Sequence, residues 1–135
     1  MSKCIFCSIV EGEIPTFIIY EDDLYLAIMD RYPSAKGHVL ILPKRHAADI
    51  YELNEEESAA LIPLAKKVAE KIRDKLGASG LNLIQNNGKV AGQVIDHFHL
   101  HLIPRNEGDG IVIKGSSQEQ SSKDLELMAG LLSLK

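Results

Sequence analysis

Three of the five histidines in this chain, His97, His99 and His101, occupy alternate positions within a short apolar stretch. In an extended strand alternate side chains point to the same side, so these three imidazoles are predicted to share one face of a strand. A neutral imidazole has a proton on one nitrogen and a lone pair on the other, so it can attack, donate a hydrogen bond or bind a metal ion. A single such histidine would be read as a surface residue, whereas three at this spacing indicate a chemical function.

The distance between the histidines along such a strand indicates that they have different functions. At about 3.3 Å per residue, His97 and His101 would stand roughly 13 Å apart. A zinc ion binds nitrogen at about 2 Å, so one ion cannot comfortably hold both rings. We therefore expect different histidines to do different work.

The composition limits the class of protein. With 135 residues, a net charge of -4 and 45% hydrophobic residues, the chain fits one globular domain spanning residues 1–135. No apolar run approaches the roughly 18 residues of a membrane span, and no hydrophobic signal-peptide segment is evident, so a cytoplasmic protein without membrane contact is expected. The tightest basic group is Lys44 and Arg45 with His46. This basic group is too small to bind polymeric nucleic acid, although it could bind a small anion.

The only two cysteines, Cys4 and Cys7, are separated by two residues. A thioredoxin-like redox pair should follow a strand and open a helix, but no strand can precede this pair, and a disulfide is out of place in a reducing compartment. The remaining interpretations are half of a tetrahedral zinc site or two buried, inert thiols. Zinc would need two further ligands, for which His46 and His97 are the candidates.

The order of the apolar runs predicts a mixture of strands and helices. Five runs are rich in β-forming residues and bounded by turns or proline, which predicts strands at residues 16–20, 24–28, 38–42, 81–85 and 97–102. The first two are joined by an acidic turn and predict a hairpin, and Pro43 ends the third. A short further strand is expected at residues 111–113. His38, at the start of the third run, is expected to be structural.

A long helix is predicted to follow Asn54. Asn54 can cap the first turn, and Glu57 completes a capping box three residues later. Apolar residues then recur at intervals of three and four until Gly77, which can end the helix. Pro63 removes a backbone donor within this stretch, so a kink or a later start of the helix is expected.

Two segments lie outside these elements. The loop at residues 86–93, just before the histidines, is rich in glycine and amide side chains. Such a loop can bring N–H groups to an anion, although an ordinary polar turn would have the same composition. A last helix, capped by Ser121 or Ser122, is predicted to run through Leu134.

Residues 97–105, His-Phe-His-Leu-His-Leu-Ile-Pro-Arg, resemble the signature of the histidine-triad family, in which His-x-His-x-His is followed by apolar residues. The resemblance extends to four further stretches, at residues 37–38, 43–46, 86–93 and the Cys4 and Cys7 pair. It implies a small α+β domain with a five-stranded antiparallel sheet, one long helix and a shorter C-terminal helix. It also implies a homodimer that hydrolyses or transfers nucleoside monophosphate groups, with AMP- or GMP-type conjugates such as phosphoramidates or dinucleotides as substrates.

The same resemblance implies a role for each site residue. His99 would be the nucleophile that forms a covalent nucleotidyl-histidine, and His101 would hydrogen-bond the phosphate or the leaving group. The implied substrate contacts are Asn86, Gly92 and Gln93 to phosphate, Asp30 to the ribose, and Ile5, Phe6, Ile9 and Ile28 to the base. Family members with the Cys-x-x-Cys pair bind a structural Zn²⁺, for which the matching residues are Cys4, Cys7, His46 and His97.

Two departures from the family pattern and two alternatives complete the interpretation. Val94 stands where many relatives have Ser or Thr, which removes one hydroxyl contact, and Asp96 places a negative charge close to the anion-binding site. The first alternative is a zinc-dependent hydrolase whose catalytic metal is held by His97 and His99. The second is a nucleotide-binding signalling module with vestigial catalysis.

Overall fold

The computed structural model describes residues 4–115 and 117–135 and places a five-stranded antiparallel sheet at the centre of the fold. The strands are β1 (Ile18–Glu21), β2 (Tyr25–Met29), β3 (Val39–Pro43), β4 (Gly80–Gln85) and β5 (Leu100–Arg105). Their spatial order is β1-β2-β3-β5-β4, so β5 lies between β3 and β4. The register pairs His101 with Leu40 on one side and with Ile84 on the other. The triad region is therefore held in the middle of the sheet.

In the described part of the chain three α-helices accompany the sheet: α1 (Ile5–Val10), α2 (Glu55–Leu76) and α3 (Ser122–Leu132). The α+β class, with five antiparallel strands, one long helix and a shorter C-terminal helix, is thus confirmed. The sequence analysis missed α1, because six residues show too little periodicity to reveal a helix. Among the described residues no helix is both long enough and apolar enough to cross a membrane.

Helix α2 begins and ends where its capping residues predict. The Asn54 side chain accepts from the Glu57 N–H at 2.8 Å, and the Glu57 carboxylate accepts from the Asn54 N–H at 3.0 Å. Gly77 ends the helix in the left-handed region at φ 64°, where a residue without a Cβ is favoured. The helix includes Pro63 without interruption, so the expected later start is wrong.

Each face of the sheet has its own apolar layer. On one face, α2 packs against strand residues; the buried members of this layer include Tyr25, Ala27, Val39, Ile41, Leu64, Val68, Ile72, Leu100 and Leu102. On the other face, Phe6 of α1 packs against a smaller group that contains Leu26, Ile28, Leu40 and Leu42. Full burial of each large aliphatic side chain contributes about 1.5–3 kcal/mol. Helix α1 therefore covers part of the face that α2 leaves open.

The structure corrects three of the secondary-structure predictions. Strand β5 begins at Leu100, so His97 and His99 lie in the irregular segment before it, and only His101 is in the strand. No strand forms at residues 111–113, which the structure describes as irregular chain. Helix α3 ends at Leu132 and stops short of Leu134.

Candidate active site and metal centre

A cleft of about 890 Å³ opens beside α1, the end of β2 and the loop before the triad. Of the residues that the sequence assigns to catalysis and substrate contact, those lining it are Ile5, Phe6, Ile9, Ile28, Asp30, Asn86, Gly92, His99 and His101. One wall is apolar and formed largely by α1. The opposite side carries the imidazoles, an amide and a carboxylate, so the cleft can accept a ligand with one apolar and one anionic part.

The tautomer of His99 follows from its backbone contact. Its Nδ1 lies 2.8 Å from the carbonyl oxygen of His97, and a carbonyl can only accept, so Nδ1 must carry the proton. The Nε2 atom of a neutral ring then has the lone pair. The ring is 8% exposed and makes an edge contact with Phe6 at a centroid distance of 5.0 Å. His99 therefore has a lone pair on Nε2, while its Nδ1–H is held by the His97 carbonyl.

His101 has the opposite tautomer, because a chain of hydrogen bonds ends on its Nδ1. The backbone N–H of Ser34 donates to His38 Nδ1 at 3.0 Å, which leaves the proton of a neutral His38 ring on Nε2. His38 Nε2 lies 2.9 Å from His101 Nδ1 and donates to it. The proton of His101 is then on Nε2, so this ring can donate a hydrogen bond where His99 offers a lone pair.

The surroundings keep this chain of imidazoles uncharged. Burial, followed by smaller contributions from the neighbouring His99 and His38, lowers the pKa of His101 to about 4, although the Asp30 carboxylate partly opposes this. Burial also lowers the pKa of His38, and the carboxylate of Asp30, 3.5 Å from His38 Nε2, only partly opposes this. Both rings are neutral at pH 7, as the assigned direction of the hydrogen bonds requires.

Sequence reasoning expected His38 to be structural and missed its contact with the triad. His38 is 2% exposed and directly precedes β3. Its partner His101 is 63 residues away, and only the pairing of Leu40 with His101 brings the two together. The available signal was the Gly-His pair in the family pattern, because local spacing contains no information about this pairing.

The geometry does not bring Gln93 to the cleft. Its side-chain Nε2 donates to the carbonyls of Ala48 and Ile95 at 2.6 and 3.0 Å, and its Oε1 accepts from the Gly88 N–H at 2.8 Å. Both amide protons are used, so none remains for a phosphate oxygen in this conformation. Gln93 holds the loop together instead.

The remaining loop residues differ in backbone conformation and in their position relative to the cleft. Gly92, at φ 96°, has the left-handed conformation that favours glycine, whereas a Cβ there would make only an ordinary contact with Asn86 Nδ2 at 3.6 Å. Val94 is 87% exposed at the cleft. Asp96 is exposed and is not among the cleft-lining residues, so its charge does not face the anion site.

A second group of side chains converges away from the cleft. Cys4 Sγ, Cys7 Sγ, His46 Nδ1 and His97 Nδ1 all lie within 4.8 Å of one another. The distances are 3.4 and 3.5 Å from His97 to the two sulfurs, 3.3 Å from His46 to Cys7, and 3.2 Å between the two nitrogens. Around a tetrahedral zinc the corresponding separations are about 3.6 Å for sulfur to nitrogen and about 3.4 Å for nitrogen to nitrogen. The donor set and its spacing fit such an ion.

A backbone carbonyl orients one histidine of this centre, and an ion pair lies next to the other in the chain. His97 is fully buried, and its Nε2 donates to the Pro43 carbonyl at 2.8 Å, so Nδ1 has the lone pair that a metal requires. Next to His46, Arg45 forms a two-pronged ion pair with Glu57 at 2.7 and 3.1 Å. Burial acts to raise the pKa of Glu57, but the hydrogen bonds from Arg45 and the Asn54 backbone outweigh it and hold the pKa below its usual value.

The positions of His97 and His99 contradict the alternative of a catalytic metal shared between them. His97 directs its available nitrogen toward the cysteines, whereas His99 lies in the cleft. Within residues 4–115 and 117–135, His99 belongs to no group of three or more potential metal ligands.

Comparisons with known proteins give the family and the fold of this chain. The family model described as the HIT domain matches residues 11–108. The chain is 41% identical over 134 residues to the adenosine 5'-monophosphoramidase of Schizosaccharomyces pombe, with 98% of each chain covered. The crystal structure of a HIT family protein from Bacillus anthracis superposes with a TM-score of 0.91 at 39% identity, covering 97% of this chain and 95% of that one.

A structure described as a Zn-bound histidine triad family protein from Mycobacterium smegmatis superposes with a TM-score of 0.77 at 37% identity, covering 86% of this chain and 84% of that one. The fold and the extent of these matches define a histidine-triad protein. The chain belongs to the HIT family.

Proposed function

We propose that this protein is a nucleotidyl hydrolase that releases a nucleoside monophosphate from a P–N-linked conjugate, with adenosine phosphoramidates as the leading substrate class. The observation that carries the proposal is the pairing of tautomers in the cleft: His99 offers a lone pair, and His101, at a centroid distance of 4.9 Å, offers a proton. The similarity to an adenosine 5'-monophosphoramidase supports this substrate class.

The reaction proceeds in two displacements. His99 Nε2 attacks the α-phosphorus, a new N–P bond forms, and the P–N bond to the leaving group breaks as its nitrogen takes up a proton. The nucleotidyl-imidazole is then cationic, and its Nδ1–H remains bonded to the His97 carbonyl, which stabilises that charge. Water next attacks phosphorus and releases the monophosphate. The proton that water loses replaces the one taken up in the first step, and His99 is regenerated.

The other cleft residues position the substrate. The nucleoside base lies against Ile5, Phe6 and Ile9 of α1 and against Ile28 of β2. Asp30 accepts hydrogen bonds from the ribose hydroxyls, and Asn86 donates to a phosphate oxygen. His101 Nε2–H donates to a phosphoryl oxygen or to the leaving nitrogen, where charge changes most in the transition state.

A structural Zn²⁺ belongs to the centre formed by Cys4, Cys7, His46 and His97. With four protein donors it would have no open position, and it would cross-link distant parts of the chain. The Zn-bound family member from Mycobacterium smegmatis supports this assignment. Thiolate ligands must remain reduced, which agrees with a cytoplasmic location.

A homodimer is part of the proposal. The chain exposes 9725 Å², about 2700 Å² more than the roughly 7000 Å² expected for a folded monomer of its mass. Helix α3 buries none of its residues, and its apolar side chains Leu125 and Leu131 are 56% and 71% exposed. A second copy that covers α3 would remove such an excess. Light scattering after size exclusion measures this directly, and a monomer across micromolar concentrations would contradict it.

The decisive experiment is to trap the intermediate. Wild-type protein is mixed with adenosine 5'-phosphoramidate, quenched within seconds and analysed by peptide mass spectrometry for adenylylation of His99. His99→Ala should form no adduct and lose turnover, whereas His101→Asn, which keeps the nucleophile, should still form the adduct more slowly. AMP binding without turnover by the wild type would instead favour the signalling module.

A further inference from the structure

Helix α1 serves two sites at once. Cys4, at its N-terminal boundary, and Cys7, within it, face the metal centre. Ile5, Phe6 and Ile9, on the same short helix, line the cleft. The wall of the cleft and half of the ligand set are therefore one piece of secondary structure.

This helix is weak when considered by itself. It has six residues, no side-chain hydrogen bond at its N-cap among the described residues and no acidic residue in its first turn. Isolated helices shorter than about 12–15 residues are marginal in water. The position of α1 must therefore depend on contacts with the rest of the protein, such as the burial of Phe6 and the convergence of Cys4 and Cys7 on the two histidines.

The hydrogen bonds that hold the nucleophile come from residues outside α1. His99 donates to the His97 carbonyl, and this segment is fixed by the hydrogen bond from Phe98 N–H to the Ala47 carbonyl at 2.7 Å and by the complete burial of the His97 ring. His97 Nε2 is also held by Pro43. Of these contacts, only the burial of the His97 ring involves α1, through Phe6 and the two cysteines. The hydrogen bonds to Pro43 and to Ala47 do not, so they should keep the His97 carbonyl, and with it His99, in place when the metal is lost.

We infer that metal binding at the four-donor centre anchors α1 as the wall of the cleft, so that metal occupancy sets nucleotide affinity and leaves the nucleophile largely unaffected. The inference rests on the proposed function, because it takes a nucleoside as the ligand that contacts α1. In the metal-loaded protein the wall is ordered before the nucleotide binds. In the metal-free protein nucleotide binding must order α1, and affinity falls accordingly.

The first test compares zinc-loaded and chelator-stripped full-length protein by hydrogen exchange and by calorimetry with AMP. The amides that close α1, at Ser8, Glu11 and Gly12, should exchange faster without zinc, while the β5 amides remain protected. AMP affinity should fall about tenfold and recover when zinc is added. At saturating adenosine phosphoramidate, kcat should stay within about threefold, so the effect appears in KM.

The second test asks whether the metal acts through the wall. Ile5→Ala should weaken AMP binding in the zinc-loaded protein, because Ile5 is 47% exposed in the cleft, but should have no further effect in the Cys7→Ser background. Ile28→Val, a wall substitution on β2, is the matched control and should weaken binding equally in both backgrounds. This non-additivity is expected only when the metal and Ile5 act through one element.

Several outcomes would overturn the inference. Equal AMP affinity with and without bound zinc would do so, as would unchanged exchange at α1 or additive effects of Ile5→Ala and Cys7→Ser. Loss of protection in β5 as well would show that the metal supports the whole fold. If the zinc-loaded protein does not bind AMP, the proposed function itself fails and this inference with it, whereas zinc-independent AMP binding contradicts the inference alone.

Discussion

The described residues contain two clusters of potential metal ligands, and they are built in opposite ways. In the centre of Cys4, Cys7, His46 and His97, all ligand atoms lie within 4.8 Å of one another and four pairs are 3.2–3.5 Å apart, and the oriented His97 ring directs a lone pair inward. In the cluster of Asp30, His38 and His101, the two imidazoles are 2.9 Å apart, and the Nε2–H of His38 donates to the lone pair of His101 Nδ1. The first arrangement has room for an ion, and the second is closed by its own hydrogen bonds.

This contrast shows that residue type alone does not determine whether a histidine cluster is suited to bind a metal ion. Two nitrogens on a zinc ion are about 3.4 Å apart, longer than the bond between His38 and His101. What differs is the partner of the second ring nitrogen. In His97 a carbonyl holds Nε2 and leaves Nδ1 for the metal, whereas in His38 a backbone N–H holds Nδ1 and leaves Nε2 as a donor.

The largest expected effect concerns metal content. Cys7→Ser replaces a thiolate ligand with a neutral hydroxyl and should reduce zinc affinity by more than about 100-fold, since loss of an outer partner alone costs about 10–100-fold. Zinc measured by mass spectrometry after dialysis should fall from one ion per chain toward none. His38→Ala should keep its zinc. Loss of zinc in His38→Ala together with its retention in Cys7→Ser would instead assign the metal to the cluster that contains His38.

The next effect concerns turnover. His38→Ala removes the donor that fixes the His101 tautomer, so kcat should fall about 10–100-fold while KM changes little, within the range of acid–base and hydrogen-bonding contributions. His38→Gln, whose amide N–H can donate, should recover part of the loss. Steady-state kinetics with an adenosine phosphoramidate measures both variants. An unchanged kcat in His38→Ala would show that His101 does not depend on His38.

A third prediction concerns stability against acid. Because the pKa of His101 is about 4 in the folded protein and ordinarily about 6.5, the unfolded chain binds more protons between these values. The contribution is fully present above pH 6.5 and is lost as the pH falls toward 4. By pH 5 the protein has lost about 2 kcal/mol of unfolding free energy from this source.

Urea unfolding of metal-free wild type and His101→Gln at pH 7 and pH 5 measures this contribution. The wild type should lose more stability than the variant between the two pH values. Equal losses would place the acid sensitivity elsewhere, for example in His97, whose pKa is also lowered, mainly by burial.

The smallest effect is expected for Asp30→Asn. Its carboxylate is 3.5 Å from His38 Nε2, and its removal would lower the pKa values of His38 and His101, which are already neutral at pH 7. Therefore kcat should change less than about threefold, while KM should rise several-fold if Asp30 contacts the ribose. A large fall in kcat would make Asp30 an essential member of the hydrogen-bonded chain.

The sequence was sufficient for features that depend on local pattern. The strand runs, the capping box of Asn54 and Glu57, and the stop at Gly77 all follow from residues close together in the chain. The expectation from their spacing that His97 and His101 cannot share one metal ion stays a prediction. The common strand face was wrong for His97 and His99, because the chain reaches β5 only at Leu100.

What the sequence could not predict depends on contacts between distant residues. The bond from His38 to His101 exists because β5 lies beside β3. The resemblance to the histidine-triad family implied that Gln93 holds phosphate, but the carbonyl of Ala48, 45 residues away, accepts one of its amide protons. In both cases the strand order and the path of a loop decide which atoms meet.

The amide of Gln93 also has a kinetic consequence. By joining Gly88, Ala48 and Ile95, it fixes the rim that carries Asn86 while the chain folds. The rim is then already ordered when a nucleotide enters the cleft. The conformational entropy cost of ordering it arises during folding and not during binding. Association at this edge should therefore be a single diffusional encounter, without a slower loop-ordering phase.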